Sequence, residues 1–218
     1  MITTERTALW KFLQGFCRIM CARLFDLKAY GMENVPKQGP AILASNHGSY
    51  LDPVVVGVPL VRPVSYFAKS ELFSNHYGNL ILRNLHAFPV RQGEGDLGAI
   101  REAIGRLKEG HMLNLYPEGS RSEDGRLQPV EPGLALVARR SGAPIIPVAI
   151  NGSFHAWPRG QMVWQAHPVQ VMYGPPLEIH GLKADAVARL LSGTWEKMLV
   201  ELRAKHPESV PRHERRAS

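Results

Sequence analysis

Cysteine is scarce in this chain, and the motifs that define several common enzyme classes are missing from it. The 218 residues include two cysteines, Cys17 and Cys21, four positions apart on a predicted helix. That spacing indicates neither a metal site nor a redox pair and fits a reducing, cytoplasmic setting. There is no G-x-S-x-G elbow, no Walker loop and no cluster of metal ligands at a suitable spacing. We therefore expect no metal or redox cofactor and no serine-hydrolase chemistry.

Long apolar runs are also missing, and no cleavable signal sequence is evident. The first predicted helix, residues 8–25, is interrupted by Lys11, Gln14, Arg18 and Arg23. At 100° per residue one face collects its large apolar side chains: Leu9, Phe12, Leu13, Phe16, Ile19, Met20 and Leu24. Two interpretations are open. The helix either lies in a membrane interface with Arg23 snorkelling, or packs as an ordinary amphipathic helix on the core.

Acidic residues are relatively scarce as well. The chain has 19 aspartates and glutamates against 26 lysines and arginines, which gives a net charge of +7. A basic surface favours an anionic partner such as an acidic membrane or a phosphorylated substrate. Nucleic acid is a third anionic partner, and it is the weakest candidate of the three. The chain has neither a zinc-finger spacing nor an arginine-rich helix with interleaved aromatic residues. The apolar content of 44% predicts a folded globular domain.

Strand-like and helical segments alternate along most of the chain. The predicted strands cover residues 41–44, 64–68, 87–90, 112–116, 144–150 and 169–173, and the clearest later helices cover residues 97–108, 134–140 and 184–203. This alternation predicts an α/β fold in which a central, largely parallel or mixed sheet is flanked by helices. We expect an N-terminal helix in residues 1–26, an α/β domain in residues 27–205 and a disordered basic tail in residues 206–218.

The segment after the first predicted strand carries the most informative chemistry. His47 and Asp52 are five positions apart, so on one helix they would point about 140° away from each other. Gly48 and Ser49 permit a bend that folds Asp52 back onto His47. Pro53 is suited to a first helical position, with Asp52 as its N-cap. The pair is then either a general base oriented by a carboxylate or a loop histidine beside a capping aspartate.

Two further segments near predicted strand ends carry candidate residues for binding an anionic ligand. Arg91 and Arg121 can each hold a phosphate through two parallel hydrogen bonds, although either arginine alone is better explained as a solvated surface charge. Glu118 can orient an arginine, bind a substrate hydroxyl or form a simple salt bridge. Gly119 allows close backbone approach, and Ser120 adds a donor.

A G-x-G-x-x-G sequence at residues 93–98 superficially matches a dinucleotide-binding fingerprint, with Glu118 twenty residues beyond its last glycine. Glu94 and Asp96 would place carboxylates beside a pyrophosphate, which argues against nucleotide binding. A flexible loop leading into a helix explains these residues better.

Four blocks in order resemble the glycerolipid acyltransferase family typified by 1-acylglycerol-3-phosphate O-acyltransferase. That family is marked by N-H-x4-D, then F-P-V-x-R, F-P-E-G-T-R-S and an apolar P-I-x-P-V strand. The corresponding blocks here begin at Asn46, Phe88, Tyr116 and Pro144, and the likeness runs from about residue 30 to residue 179. The chain departs from the pattern at His86, Ser120 and Glu131, where the family commonly has glycine, threonine and a basic residue.

The resemblance implies transfer of an acyl group from acyl-CoA or acyl-carrier protein to the free hydroxyl of a lysophosphatidate-type lysophospholipid. It implies His47 as general base oriented by Asp52, with Arg91, Glu118, Gly119, Ser120 and Arg121 holding the acceptor phosphate. No cofactor or metal is implied beyond the acyl donor. The expected location is the cytoplasmic face of an anionic membrane, as a peripheral or monotopic protein. Another lysolipid acceptor, such as lyso-ornithine lipid, or a non-catalytic lipid-binding role is the alternative.

Overall fold

The structure is a computed structural model that describes residues 6–84, 86–90 and 97–209. The helices are α1 (Ala8–Leu24), α2 (Asp52–Gly57), α3 (His76–Asn84), α4 (Leu97–Lys108), α5 (Gly133–Ser141), α6 (Ser153–Ala156) and α7 (Ala184–Lys205). The strands are β1 (Lys28–Tyr30), β2 (Ala41–Ser45), β3 (Ser65–Lys69), β4 (Ala87–Val90), β5 (Met112–Leu115), β6 (Ile145–Asn151) and β7 (Gln170–Tyr173). Short 3-10 helices cover Met32–Asn34, Ser70–Phe73 and Pro207–Ser209.

The strands form one seven-stranded sheet in the order β1-β7-β6-β2-β5-β3-β4. Every pairing is parallel except β6 with β7, which is antiparallel. The predicted α/β class and largely parallel sheet are therefore confirmed. Strand β1 was not among the predicted strands, because three residues are too few to show a periodic pattern.

The proline-containing strand β6 occupies an interior position in the sheet. The prolines predict restricted pairing, yet β6 pairs with β2 on one side and with β7 on the other. Pro147 lies in register with Ala44, and its carbonyl accepts a hydrogen bond from the Gly174 N–H at 2.8 Å. Proline lacks only the donor, so its carbonyl still joins the strand to its neighbour.

Helices cover both faces of the sheet, which explains why the central strands β2, β5 and β6 are buried along their whole length. On one face, side chains of α4, α5 and α7 form a core with β2, β5 and β6, and Trp195 at its centre is completely buried. The indole N–H of Trp195 donates to the Ala44 carbonyl at 3.1 Å. On the other face, the end of α1 and helix α2 cover the sheet through Cys21, Phe25 and Val55.

Helix α1 packs on the domain along one flank and is exposed along the other. Trp10 and Cys21 are buried, and the Gln14 side-chain amide donates to the Leu60 carbonyl at 2.7 Å. The exposed flank carries four large apolar side chains, Leu9, Phe12, Phe16 and Ile19, with exposed fractions between 37% and 69%. Within the described residues, no helix combines the length and the apolar character needed to cross a bilayer.

The end of the domain differs from the expected tail. The sequence predicts disorder from residue 206, whereas His206 and Ser209 are buried and the Asn151 amide donates to Ser209 Oγ at 2.6 Å. Ser209 is held by this bond at the end of β6, and the His206 ring is hydrogen-bonded to Tyr30 on β1. Composition carries no signal for such contacts. Residues 210–218 lie outside the described residues.

Candidate active site

The candidate site lies where two neighbouring parallel strands end. Strands β2 and β5 run parallel, so the segment that follows Ser45 and the segment that follows Leu115 leave the sheet at the same edge. In open α/β sheets, ligands bind at this carboxyl edge. The first segment carries His47 and Asp52, and the second carries Tyr116, Glu118 and Arg121.

His47 and Asp52 are in direct contact. Asp52 Oδ2 lies 2.8 Å from His47 Nδ1 and also accepts the backbone N–H groups of Gly48 and Ser49, each at 2.8 Å. The oxygen that accepts two backbone N–H groups acts as acceptor toward Nδ1 as well, which assigns the hydrogen of a neutral ring to Nδ1. Among the described residues His47 Nε2 has no hydrogen-bond partner, and the side chain is 17% exposed. The imidazole is therefore oriented and accessible.

The structure differs from the expected cap at the start of α2. The sequence pattern predicts Asp52 as the N-cap, but the helix begins at Asp52 and Leu51 occupies the N-cap position. The Asp52 side chain turns back onto the preceding bend and is completely buried. Three donors on one carboxylate oxygen replace the single capping bond, so Asp52 holds the bend and the imidazole together.

Two residues that position His47 had no assigned role in the sequence analysis. The Tyr116 ring stacks on the His47 ring with centroids 3.8 Å apart and an interplanar angle of 16°. Burial and, to a smaller extent, the negative charge of Asp52 raise the pKa of the Tyr116 phenol well above its ordinary value. The Asn46 side chain exchanges two hydrogen bonds with the Ile150 backbone, at 3.0 and 2.7 Å. Contacts between residues this far apart in sequence leave no local signal.

Glu118 joins the two segments. One carboxylate oxygen accepts the His47 backbone N–H and the other accepts the Gln128 backbone N–H, both at 2.8 Å. The Ser122 N–H closes the connection by donating to the His47 carbonyl at 2.8 Å. Glu118 is buried, and that burial raises its pKa to about 7 despite the two hydrogen bonds, which act in the opposite direction. Within the described residues, Glu118 contacts backbone amides rather than an arginine.

The remaining predicted phosphate-binding residues lie on the segment after β5, with one exception. The Arg121 guanidinium lies over the Tyr50 ring, 3.6 Å from its centroid, which brings it beside the His47 segment. Its Nη1 is buried and has no hydrogen-bond partner among the described residues. Gly119 and Ser120 are exposed on the same turn, where Gly119 has a φ of 74°. Arg91 lies outside the described residues, as do the first four positions of the G-x-G-x-x-G sequence.

A small polar cleft of about 40 Å³ opens beside His47, and Arg126 and Arg203 also line it. A larger cavity of about 870 Å³ lies between α1 and the segments that precede β2 and β3. That cavity is at the amino edge of the sheet, opposite the edge that carries His47 and Asp52. Within the described part of the chain, no group of three or more His, Cys, Asp or Glu residues is placed to hold a metal ion.

Comparison with known proteins identifies the class to which this fold and site belong. The family model described as Acyltransferase matches residues 26–151, which include both segments of the candidate site. The chain therefore belongs to the acyltransferase family, a family of enzymes.

The names of the similar proteins specify the reaction more closely than the description of the family model does. The chain is 27% identical to the 1-acyl-sn-glycerol-3-phosphate acyltransferase of Bacillus subtilis (strain 168), over 78% of this chain and 82% of the relative. It is 25% identical to the Pseudomonas aeruginosa protein of the same name, over 93% of this chain and 79% of the relative. The crystal structure of the 1-acyl-sn-glycerophosphate (LPA) acyltransferase PlsC from Thermotoga maritima matches with a TM-score of 0.77 and 26% identity, covering 91% of this chain and 82% of that one. The chain spans about half the length of the chloroplast relatives that it matches.

The raised pKa of Glu118 predicts a pH dependence of stability. A folded-state pKa of about 7 exceeds the ordinary value of 4.5, so between these values the folded state binds more protons than the unfolded state. The contribution of Glu118 to the free energy of unfolding is therefore fully present below about pH 4.5 and is lost as the pH rises through about 7. In Glu118→Gln this trend should disappear. The free energy of unfolding of the wild type, relative to that of the variant, should therefore fall as the pH rises from about 4.5 to about 7.

Urea unfolding at closely spaced pH values measures this difference. Glu131→Gln, an exposed position on the same stretch of chain, controls for the removal of one acidic group. Parallel pH curves for wild type and Glu118→Gln would contradict the assignment.

Proposed function

We propose that this protein transfers a fatty acyl group from the thioester of acyl-CoA or acyl-carrier protein to the free hydroxyl of a lysophosphatidate-type acceptor. The 2.8 Å contact between Asp52 Oδ2 and His47 Nδ1, at the carboxyl edge of the sheet, is the observation that carries this proposal. The names of the similar proteins support the choice of acceptor. A non-catalytic lipid carrier would need a binding groove but no oriented imidazole.

In the proposed reaction His47 acts as the general base. A hydroxyl is a very weak acid, so its proton must be removed as its oxygen attacks the thioester carbonyl, and His47 Nε2 accepts that proton. The ionised Asp52 stabilises the imidazolium that results. When the tetrahedral intermediate collapses, the C–S bond breaks and the departing thiolate takes the proton from His47. The base is thus regenerated in each cycle.

The acceptor phosphate is assigned to the segment after β5. Arg121 offers a buried nitrogen without a described partner, and its ring contact with Tyr50 limits the directions in which the guanidinium can point. The exposed turn of Gly119 and Ser120 can add backbone and hydroxyl donors to the same phosphate. Glu118 lies behind this turn, where it fixes the distance between the turn and His47. Arg91 is included on the family resemblance.

Helix α1 is assigned to the surface of an anionic membrane at its cytoplasmic face. The exposed apolar flank of Leu9, Phe12, Phe16 and Ile19 gives the helix a surface for the headgroup region, and Lys11 and Arg23 are exposed close by. A helix with this distribution lies in the plane of the interface. The arrangement would present the enzyme to an acceptor that resides in the bilayer.

Removing the imidazole tests the general-base role. His47→Ala should lower turnover by about 10²–10⁴-fold, because a positioned base contributes a factor of that size. Acceptor binding should be nearly unchanged. The measurement is thiol release from acyl-CoA in the presence of lysophosphatidate, with the lipid product identified by mass spectrometry.

His180→Ala, at an exposed position beyond β7, is the matched control and should retain the wild-type rate. A wild-type rate in His47→Ala would end the general-base assignment. Absence of thioester consumption in the wild-type protein with every acceptor would favour the lipid carrier.

Shortening Arg121 tests the phosphate assignment. Arg121→Ala should raise the KM for lysophosphatidate by about tenfold or more, since a hydrogen bond to a charged group contributes ~1.5–3 kcal/mol. The KM for an uncharged monoacylglycerol should change little, because it lacks the phosphate. Initial-rate kinetics with both acceptors give the two values.

Arg126→Ala removes a guanidinium from the cleft beside His47 and serves as the matched variant. An effect of Arg126→Ala alone would move the phosphate to the cleft. A fall in kcat for Arg121→Ala with an unchanged KM would also contradict the assignment.

A further inference from the structure

The loop that follows α6 carries an exposed apolar tip. We call residues 157–167 the apolar loop. At its tip Met162 is 94% exposed, Val163 is 74% exposed and Trp164 is 38% exposed. Single exposed apolar residues are ordinary on protein surfaces, but three in succession form a patch of the kind that marks an interaction site.

Hydrogen bonds hold the tip in its exposed position. The Gln165 N–H donates to the Ala156 carbonyl at 2.9 Å, and the Gln165 side-chain amide donates to the His155 carbonyl at 2.6 Å. The Trp157 indole N–H donates to the Gln161 carbonyl at 2.9 Å. Hydrogen bonds therefore fix the backbone of the apolar loop on both sides of the tip. The loop has a defined conformation in which the apolar residues are exposed.

The same loop is attached to the segment that contains His47. Ser49 forms an isolated antiparallel bridge with Pro158, and Ser49 Oγ donates to the Trp157 carbonyl at 2.8 Å. The rings of Tyr50 and Trp157 lie 5.3 Å apart. Tyr50 in turn lies beneath Arg121. Whatever covers the tip is therefore connected to the segment that carries His47 and lies near Arg121.

The tip also contacts the residue that follows helix α1. The Trp164 ring meets the Phe25 ring edge-on, with centroids 5.6 Å apart. Basic side chains flank this contact, since Arg23 is exposed in the last turn of α1, and Arg159, which pairs with the exposed Glu123 at 3.4 Å, lies on the apolar loop with a half-exposed side chain. An apolar surface bordered by guanidinium groups, with a tryptophan at its edge, matches the interface of an anionic bilayer.

We propose that Met162, Val163 and Trp164 enter the headgroup region of an anionic phospholipid membrane and form a second membrane contact beside α1. This inference rests on the proposed function, which requires a lipid acceptor. With α1 and the apolar loop both on the membrane, the segment of Ser49 and Tyr50, which follows His47, is held beside the bilayer surface. The acceptor hydroxyl can then reach His47 while its acyl chain remains in the lipid.

The test compares two equivalent substitutions on exposed valines. Val163→Asp should reduce co-sedimentation of the full chain with phosphatidylglycerol–phosphatidylcholine vesicles by about tenfold, the factor expected from losing one buried valine side chain. Val200→Asp, on α7 with 66% exposure, should leave vesicle binding within about twofold of wild type. Met162→Asp provides a second tip variant and should behave like Val163→Asp.

A short-chain lysophosphatidate that dissolves as monomers separates this inference from the proposed function. Val163→Asp should acylate it at the wild-type rate, because no membrane is needed. Unchanged vesicle binding in both tip variants would overturn the inference, as would equal losses in Val163→Asp and Val200→Asp. Loss of turnover on the soluble acceptor in Val163→Asp would overturn it too. Absence of turnover in the wild-type protein would instead count against the proposed function, while the vesicle comparison would still stand.

Discussion

The carboxylate of Asp52 is the interaction on which the site depends. It is completely buried, and one of its oxygens accepts the His47 ring N–H and the backbone N–H groups of Gly48 and Ser49. These contacts give the bend between β2 and α2 its shape and give the imidazole its direction at the same time. All three donors converge on Oδ2, while Oδ1 is buried without a hydrogen-bond partner among the described residues. Loss of any of the three donors would leave the buried carboxylate poorly compensated, so the shape of the bend and the orientation of the histidine depend on each other.

A second carboxylate, that of Glu118, connects this bend to the segment after β5. Its hydrogen bonds to the His47 and Gln128 backbones place the proposed base and the proposed phosphate-binding turn at a fixed separation. The stacked Tyr116 ring limits rotation of the imidazole from the side. Catalysis by positioning needs this kind of rigidity, because a small displacement of the base costs much of the rate.

Local patterns were sufficient for much of this architecture, and contacts between distant residues account for the rest. The predicted strands and the helix at Leu97–Lys108 were found because apolar periodicity and terminal glycines act within a few residues. The sequence left two interpretations of His47 and Asp52 open, because their spacing alone does not determine how the chain bends between them. The Asn46 and Tyr116 contacts, the Glu118 connection and the ordered Ser209 depend on tertiary packing. No sequence window contains that information.

The tautomer of His47 tests the central claim most directly. Nitrogen-15 NMR of the imidazole, assigned by comparison with His47→Gln, distinguishes a neutral ring with hydrogen on Nδ1 from one with hydrogen on Nε2. The account predicts hydrogen on Nδ1, bonded to Asp52, and a bare Nε2 facing the cleft. A neutral ring with hydrogen on Nε2 would contradict it, because that nitrogen could not accept a proton from a hydroxyl.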